Sequence, residues 1–316
     1  MQQGIVIKST GSWYQVRLTN GEVWQCRIIG KFRTEDKRLT NPVAVGDIVQ
    51  VEAVANETGV GVIRSITPRR NFVVRQSPRK KHALHLLASN IDQAMLVVTI
   101  AHPMLKQGFI DRFLLMTEPF SIPTIIVFNK IDLYNEEDME VLQALQSIYE
   151  DIGYETLRSS ALTGLGREAL KAKLKDKTTL IAGQSGVGKS TLINSLVEGL
   201  NLRTGELSEA SGKGQHTTTF AEMHSLPFGG QLIDTPGIKT LSFNYLAPID
   251  IAHNFREFFA VSENCRFGGN CMHRNEPGCA VKEGLENGEL SELRYLNYLT
   301  LLEEAEEQNY WERRKV

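Results

Sequence analysis

A chain of 316 residues, 41% hydrophobic and 23% charged, is long enough for two or three domains with ordinary cores. Its net charge of −2 gives no overall attraction for nucleic acid, so any polyanion contact must come from local clusters. No apolar run reaches bilayer length, and Met1-Gln2-Gln3-Gly4 lacks the basic and apolar regions of a signal peptide. The expectation is a cytoplasmic monomer with no membrane partner.

Residues 4–66 alternate short β-rich runs with turn signals. The runs are 5–7, 13–18, 23–28, 48–51 and 61–63, separated by Thr10-Gly11-Ser12, Asn20-Gly21, Val45-Gly46-Asp47 and Thr58-Gly59. Five such strands fit a small closed barrel of the OB type. The loop between Gly30 and Val43 carries Lys31, Arg33, Lys37 and Arg38 around Phe32; it can contact RNA phosphates or be a solvated surface loop. Residues 64–85 are the most basic stretch, with Arg64, Arg69, Arg70, Arg75, Arg79, Lys80 and Lys81 and no acidic residue among them. Pro68 and Pro78 predict an extended linker here, placed to touch a polyanion or simply solvated.

From Ile91 the pattern changes. Apolar runs at 94–99 and 124–128, a candidate short strand at 155–158, and helical spacing at 109–117, 136–149 and 165–174 predict a parallel sheet with helices on both faces. Thr179-Leu180-Ile181-Ala182 then leads into Gly183-Gln184-Ser185-Gly186-Val187-Gly188-Lys189-Ser190-Thr191. This is G-x-x-x-x-G-K-S between strand and helix, a loop whose backbone N–H groups wrap phosphates. Lys189 supplies charge for the β/γ oxygens, and the Ser190 hydroxyl can ligate Mg²⁺.

Asn129-Lys130-Ile131-Asp132 follows the strand 124–128 and resembles N-K-x-D, the guanine-specificity element of GTPases. A carboxylate at Asp132 can accept from the ring N–H and exocyclic amine of guanine, whereas adenine would leave it unpaired, which disfavours an ATPase. Lys130 can cover the base, and Asn129 can brace loops. Ser159-Ser160-Ala161 resembles the small-residue loop that contacts the guanine oxygen, with Ser160 and Ala161 in the contacting positions.

Gly229 to Gly237 reads as turn, strand and Asp234-Thr235-Pro236-Gly237. Asp234 can hold Mg²⁺ through water and the Gly237 N–H can meet a γ-phosphate. Between the motifs, Gly212 to Thr219 suits a switch loop; one of its three threonines should complete the Mg²⁺ shell, and Thr219 is the choice. Ile238 follows D-T-P-G, so the glutamine that often orients water is absent, and His216 is the nearest titratable candidate for that catalytic role. The order is inverted relative to most GTPases, with N-K-x-D before the phosphate loop, and predicts a circular permutation.

Ile251, Phe255, Phe258 and Phe259 fall at helical spacing and are expected to be core. Cys265-x5-Cys271-x-His273-x5-Cys279 then offers three thiolates and one imidazole, a closed structural Zn²⁺ set. Cys26 is expected to be a core thiol. Glu289 to Arg314 predicts a long helix with an apolar stripe at Leu290, Leu293, Leu296 or Asn297, and Leu301, solvated unless a partner covers it.

Barrel, permuted motifs and cysteine knuckle, in that order, closely resemble the RsgA (YjeQ) family over essentially the whole chain. The resemblance implies an OB-fold N-terminal domain, a central circularly permuted P-loop GTPase domain and a mostly helical zinc-binding C-terminal domain. The boundaries expected here are 1–68 for the barrel, 69–88 for the basic linker, 89–245 for the GTPase domain and 246–316 for the zinc domain. It further implies GTP hydrolysis to GDP with Mg²⁺, stimulation by the small ribosomal subunit, and a late role in its maturation with 16S rRNA as partner. The family's switch commonly reads G-R-H-T-T-T; this chain has Gln215 in place of the arginine, while His216 and the threonines match. An assembly factor in which nucleotide only gates RNA docking is the second reading.

Overall fold

The computed structural model describes residues 1–29, 41–76, 84–197, 221–234 and 245–313. The basic loop with Lys31, Phe32, Arg33, Lys37 and Arg38, and Arg79, Lys80 and Lys81, lie outside the described residues.

Strands β1 (Gln2–Ser9), β2 (Tyr14–Leu18), β3 (Val23–Ile28), β4 (Ile48–Ala53) and β5 (Val60–Ile66) form the N-terminal unit. β2 pairs antiparallel with β1 and β3, β5 lies parallel to β3 and antiparallel to β4, and β4 returns to β1, which closes a barrel. Period-two alternation sends Val6, Val16, Cys26, Val49, Val51 and Ile63 into its core. Cys26 is a core thiol as expected, and burial pushes it up to about 11.

The predicted linker is different. It contains β6 (Phe72–Gln76) and β7 (Leu84–Ser89), an antiparallel pair. Its arginines find acids far away in sequence: Arg64 pairs with Glu52, Arg69 with Asp47 and Arg70 with Asp92. Asp47 is fully buried and accepts from two Arg69 nitrogens at 2.7 Å, from Ser89 Oγ at 2.6 Å and from Ala44 N at 2.8 Å. A carboxylate with this many donors welds the barrel to the hairpin. A linear charge count cannot see such partners.

Next comes an alternating series: β8 (Gln93–Val98), α1 (Phe109–Thr117), β9 (Thr124–Phe128), α2 (Glu136–Asp151), β10 (Glu155–Arg158), α3 (Arg167–Leu174), β11 (Thr178–Ala182) and α4 (Lys189–Leu196). Two further strands, β12 (Glu222–Ser225) and β13 (Gln231–Asp234), complete the sheet. The spatial order is β10-β9-β8-β11-β13, all parallel, followed by antiparallel β12, through which the sheet continues to β1. Alternate residues feed two cores: Leu96, Val98, Ile126 and Phe128 meet α1 and α2, while Met95, Val97, Ile125 and Val127 meet α3 and α4. All parallel strands therefore end at one edge, and N-K-x-D, the phosphate loop and Asp234 share it. Strand β12, which the sequence reading does not include, also touches the barrel. Lys8 lies opposite Glu222 and pairs with it at 2.8 Å, while Arg17 donates to Ser225 Oγ at 2.6 Å and Gln231 Oε1 at 3.0 Å.

The C-terminal helices are α5 (Pro248–Asn254), α6 (Arg256–Val261), α7 (Ala280–Glu286) and α8 (Glu292–Arg313). Ile251, Phe255 and Phe258 are buried, but Phe259 is 49% exposed, because the chain breaks between α5 and α6 at Phe255 and rotates Phe259 outward. Helix α8 is not a solvated helix either. Tyr298, Leu301, Leu302 and Ala305 are buried, Leu296 points out and Asn297 in. Arg294, 1% exposed, donates to Asp111 of α1 at 2.6 Å and to Glu257 of α6 at 2.7 and 2.9 Å. Arg112 forks onto Glu304, and Arg256 pairs with Glu118. These ion pairs fix the helical unit to the sheet domain.

Candidate active site and metal cluster

The phosphate loop begins where β11 ends. At Gly183, φ is 152°, and a Cβ would lie 2.2 Å from the Val97 carbonyl oxygen, so a side chain there collides with β8. Gly188, at φ 90°, caps α4 in the left-handed region, and a Cβ there would sit 2.8 Å from Asn129 Nδ2. Glycine at these two positions lets the loop curl against its neighbours. Lys189 turns back into the curl and donates to Gly183 O at 2.8 Å and Gln184 O at 2.9 Å. Burial pulls its pKa down to about 8, against the opposing charge of Asp234. Ser190 and Thr191 follow in the first turn of α4, and Asp234, 5% exposed, ends β13 beside them on the same sheet edge.

The guanine-type loop is tied to the phosphate loop by its own side chains. Asn129, 1% exposed, donates from Nδ2 to Val187 O at 2.9 Å and accepts from Ser159 Oγ at 3.0 Å. Lys130, at φ 63°, reaches Gly186 O at 2.7 Å and His102 O at 2.8 Å, and burial lowers its pKa despite Asp132. Ile131 N donates to Ser159 O at 3.2 Å. The Ser160 hydroxyl donates to Asp132 Oδ1, and Ala161 is half-buried beside it. The Ser160 hydroxyl thus holds the Asp132 carboxylate, a contact that the motif alone does not announce. One further participant escapes the motifs: Tyr134, whose hydroxyl donates to Asn129 O at 2.9 Å. It carries no signal beyond its nearness to N-K-x-D. His216, Thr219 and Gly237 lie outside the described residues.

Chemically, this edge offers a glycine-rich loop with a buried ammonium, a hydroxyl at Ser190 and a carboxylate at Asp234 on neighbouring elements, and a second carboxylate, Asp132, hydrogen-bonded by Ser160. Such a set suits a purine nucleoside triphosphate with Mg²⁺.

The second cluster is Cys265, Cys271, His273 and Cys279, all buried, with ligand atoms within 4.8 Å of one another. His273 Nδ1 lies 3.7 Å from Cys265 Sγ and 3.4 Å from Cys279 Sγ. With Zn–S near 2.3 Å, ligand atoms of a tetrahedral site sit roughly 3.8 Å apart, so the donor set can hold one ion. The support fits the same purpose. Glu276 accepts from Met272 N and Arg274 N at 2.9 and 2.7 Å, and the Tyr295 and Tyr298 hydroxyls each donate at 2.7 Å, to His273 O and Met272 O.

The RsgA GTPase family model matches residues 66–244, and the RsgA N-terminal domain model matches residues 3–63. The chain belongs to the RsgA GTPase family. It is a GTP hydrolase built from an N-terminal barrel, a circularly permuted GTPase domain and C-terminal helices with a Cys3His cluster. It is 48% identical over 308 residues to the small ribosomal subunit biogenesis GTPase RsgA of Bacteroides fragilis (strain YCH46), covering 98% of each chain. The RsgA of Flavobacterium psychrophilum is also 48% identical, over 305 residues, covering 96% of this chain and 93% of that one. Among solved structures, YjeQ from Thermotoga maritima superposes with a TM-score of 0.76 at 37% identity, covering 96% and 98% of the two chains. YloQ, described as a circularly permuted GTPase, gives 0.71 at 29% identity, covering 98% and 96%.

Proposed function

We propose that this RsgA-family GTPase binds GTP at the shared strand edge and hydrolyses it on the small ribosomal subunit, late in the subunit's maturation, with 16S rRNA as the contacted partner. The observation that carries the reading is the fastening of Asn129 and Lys130 to Val187 O and Gly186 O, which joins base and phosphate recognition in one unit. The named relatives supply the ribosomal assignment, and such a partner makes the protein cytoplasmic.

In this reading Asn129, Lys130, Ile131, Asp132, Ser160 and Ala161 hold guanine, and Gly183 to Thr191 hold the phosphates. Ser190, Thr219 and Asp234 would hold Mg²⁺, which would supply positive charge to the phosphates. Lys189 stabilises charge on the transferred phosphoryl group, Gly237 meets its oxygens, and His216 orients water. Cys265, Cys271, His273 and Cys279 would hold a structural Zn²⁺, which would cross-link the fold of the last domain. The domain limits proposed are those expected from the sequence, with residues 69–88 as a structured junction. The protein acts as a monomer.

Competition binding tests the base, and co-sedimentation with purified small subunits tests the partner. GTP and GDP should displace a labelled guanine nucleotide while ATP does not, and the protein should pellet with small subunits in the presence of a non-hydrolysable GTP analogue. Equal displacement by ATP, or no co-sedimentation, would overturn the corresponding half of the proposal.

A further inference from the structure

Strands β8 and β9 run side by side to the pair Val98↔Phe128, and Asn129 N–H still donates to Val98 O at 2.8 Å. One step further, a side chain joins the two backbones. The Tyr134 hydroxyl accepts from Ile100 N–H at 2.7 Å and donates to Asn129 O at 2.9 Å. It acts as an extra rung where the strands diverge. Both backbone groups belong to buried residues, Ile100 at 7% and Asn129 at 1% exposed, so neither would find water if the hydroxyl left. Burial pushes the Tyr134 pKa up to about 12, which keeps the phenol protonated and able to donate.

The rung has a position that matters. Asn129 opens the N-K-x-D loop, and Ile100 opens the β8–α1 loop, whose His102 O receives Lys130 Nζ at 2.8 Å. Tyr134 closes the short helical turn 131–133 that carries Asp132, and its N–H bonds back to Ile131 O at 3.2 Å. The same residue therefore ends the turn presenting Asp132 and pins the backbone from which Asn129 projects. We propose that Tyr134 is a positioning residue for guanine nucleotides, its hydroxyl splicing the ends of β8 and β9 so that Asn129, Lys130 and Asp132 are in place before the base arrives. The inference rests on the reading of residues 129–132 as the base site.

Four proteins measured side by side test it: wild type, Tyr134→Phe, Asp132→Asn and Tyr154→Phe. The last is a control that removes another buried hydroxyl, one that donates to Glu118 at 2.9 Å at the opposite end of the sheet. In Tyr134→Phe, the Kd values for GDP and GTP and the KM for GTP should rise together, roughly 5- to 10-fold, the equivalent of one lost hydrogen bond. Its kcat at saturating GTP should stay within about twofold of wild type, since an equal loss in ground and transition states leaves turnover alone. Tyr154→Phe should lower Tm with nucleotide affinity unmoved. Wild-type affinity in Tyr134→Phe, even with a lowered Tm, overturns the inference and makes the hydroxyl scaffold only. A fall in kcat at unchanged KM overturns it too. Unchanged base preference in Asp132→Asn overturns the base-site reading beneath it, whereas altered preference there with an unaffected Tyr134→Phe overturns the inference alone.

Discussion

Arg294→Met tests how the helical domain is held. The guanidinium is 1% exposed, bonds two carboxylates through three nitrogens at 2.6 to 2.9 Å, and lies 4.3 Å above the Phe255 ring centroid. Asp111 is fully buried and Glu257 9% exposed, so the neutral substitution leaves two carboxylates out of water with no cation. Asp111 keeps the Tyr149 hydroxyl at 2.6 Å and the Asn297 amide, which soften the loss without neutralising it. Breaking a buried pair on one side costs about 3–5 kcal/mol. Differential scanning calorimetry should show the transition that includes α8 moving down by roughly 6–10 °C, at about 2 °C per kcal/mol for a chain of this size. The triple variant Asp111→Asn, Glu257→Gln, Arg294→Met removes all three charges and should regain most of that loss. A single variant within about 1 kcal/mol of wild type would refute the reasoning, as would a triple variant no better than the single one.

Three further outcomes follow from the sites. Burial holds Lys189 near 8 before nucleotide arrives, and binding phosphate requires its charged form, so affinity should be level below pH 8 and fall as pH rises through it, by about tenfold per unit above; titration calorimetry across pH 7 to 9.5 reads this, and a flat profile would contradict it. Gly183→Ala places a Cβ against Val97 O and forces a strained φ, costing roughly 1–3 kcal/mol from the backbone alone, and should impair nucleotide binding as well as lower Tm. Elemental analysis should find one zinc per chain, and a strong chelator or Cys271→Ser should melt the helical domain first. Because burial pushes Cys271 up to about 12 without a cation, metal binding must release thiol protons, so apparent zinc affinity should climb with pH.

Local signals carried far in this chain. An apolar run between Pro123 and Asn129 delimits β9 to the residue, and the short stretch after Gly153-Tyr154 delimits β10; the phosphate loop, N-K-x-D and the cysteine knuckle declared themselves because their chemistry demands fixed spacing. What stayed hidden depends on residues distant in sequence. Arg69 reads as loose positive charge until Asp47 folds beneath it, and Arg294 reads as a helix-surface arginine until Asp111 and Glu257 converge on it. Phe259 follows the helical period of Phe255 and Phe258 but is turned outward by the break at Phe255. Strand β12 is short and polar, Glu-Met-His-Ser, and owes its conformation to pairing with β13 and the barrel. Tyr134 has no motif at all; its role arises from where β8 ends.

The central claim is that this GTPase works on the small ribosomal subunit, and the rate of GTP hydrolysis with and without purified small subunits tests it most directly. The account predicts slow turnover by the protein alone, many-fold faster turnover with small subunits, and none in either condition for Lys189→Ala. A wild-type rate identical with and without subunits would contradict it.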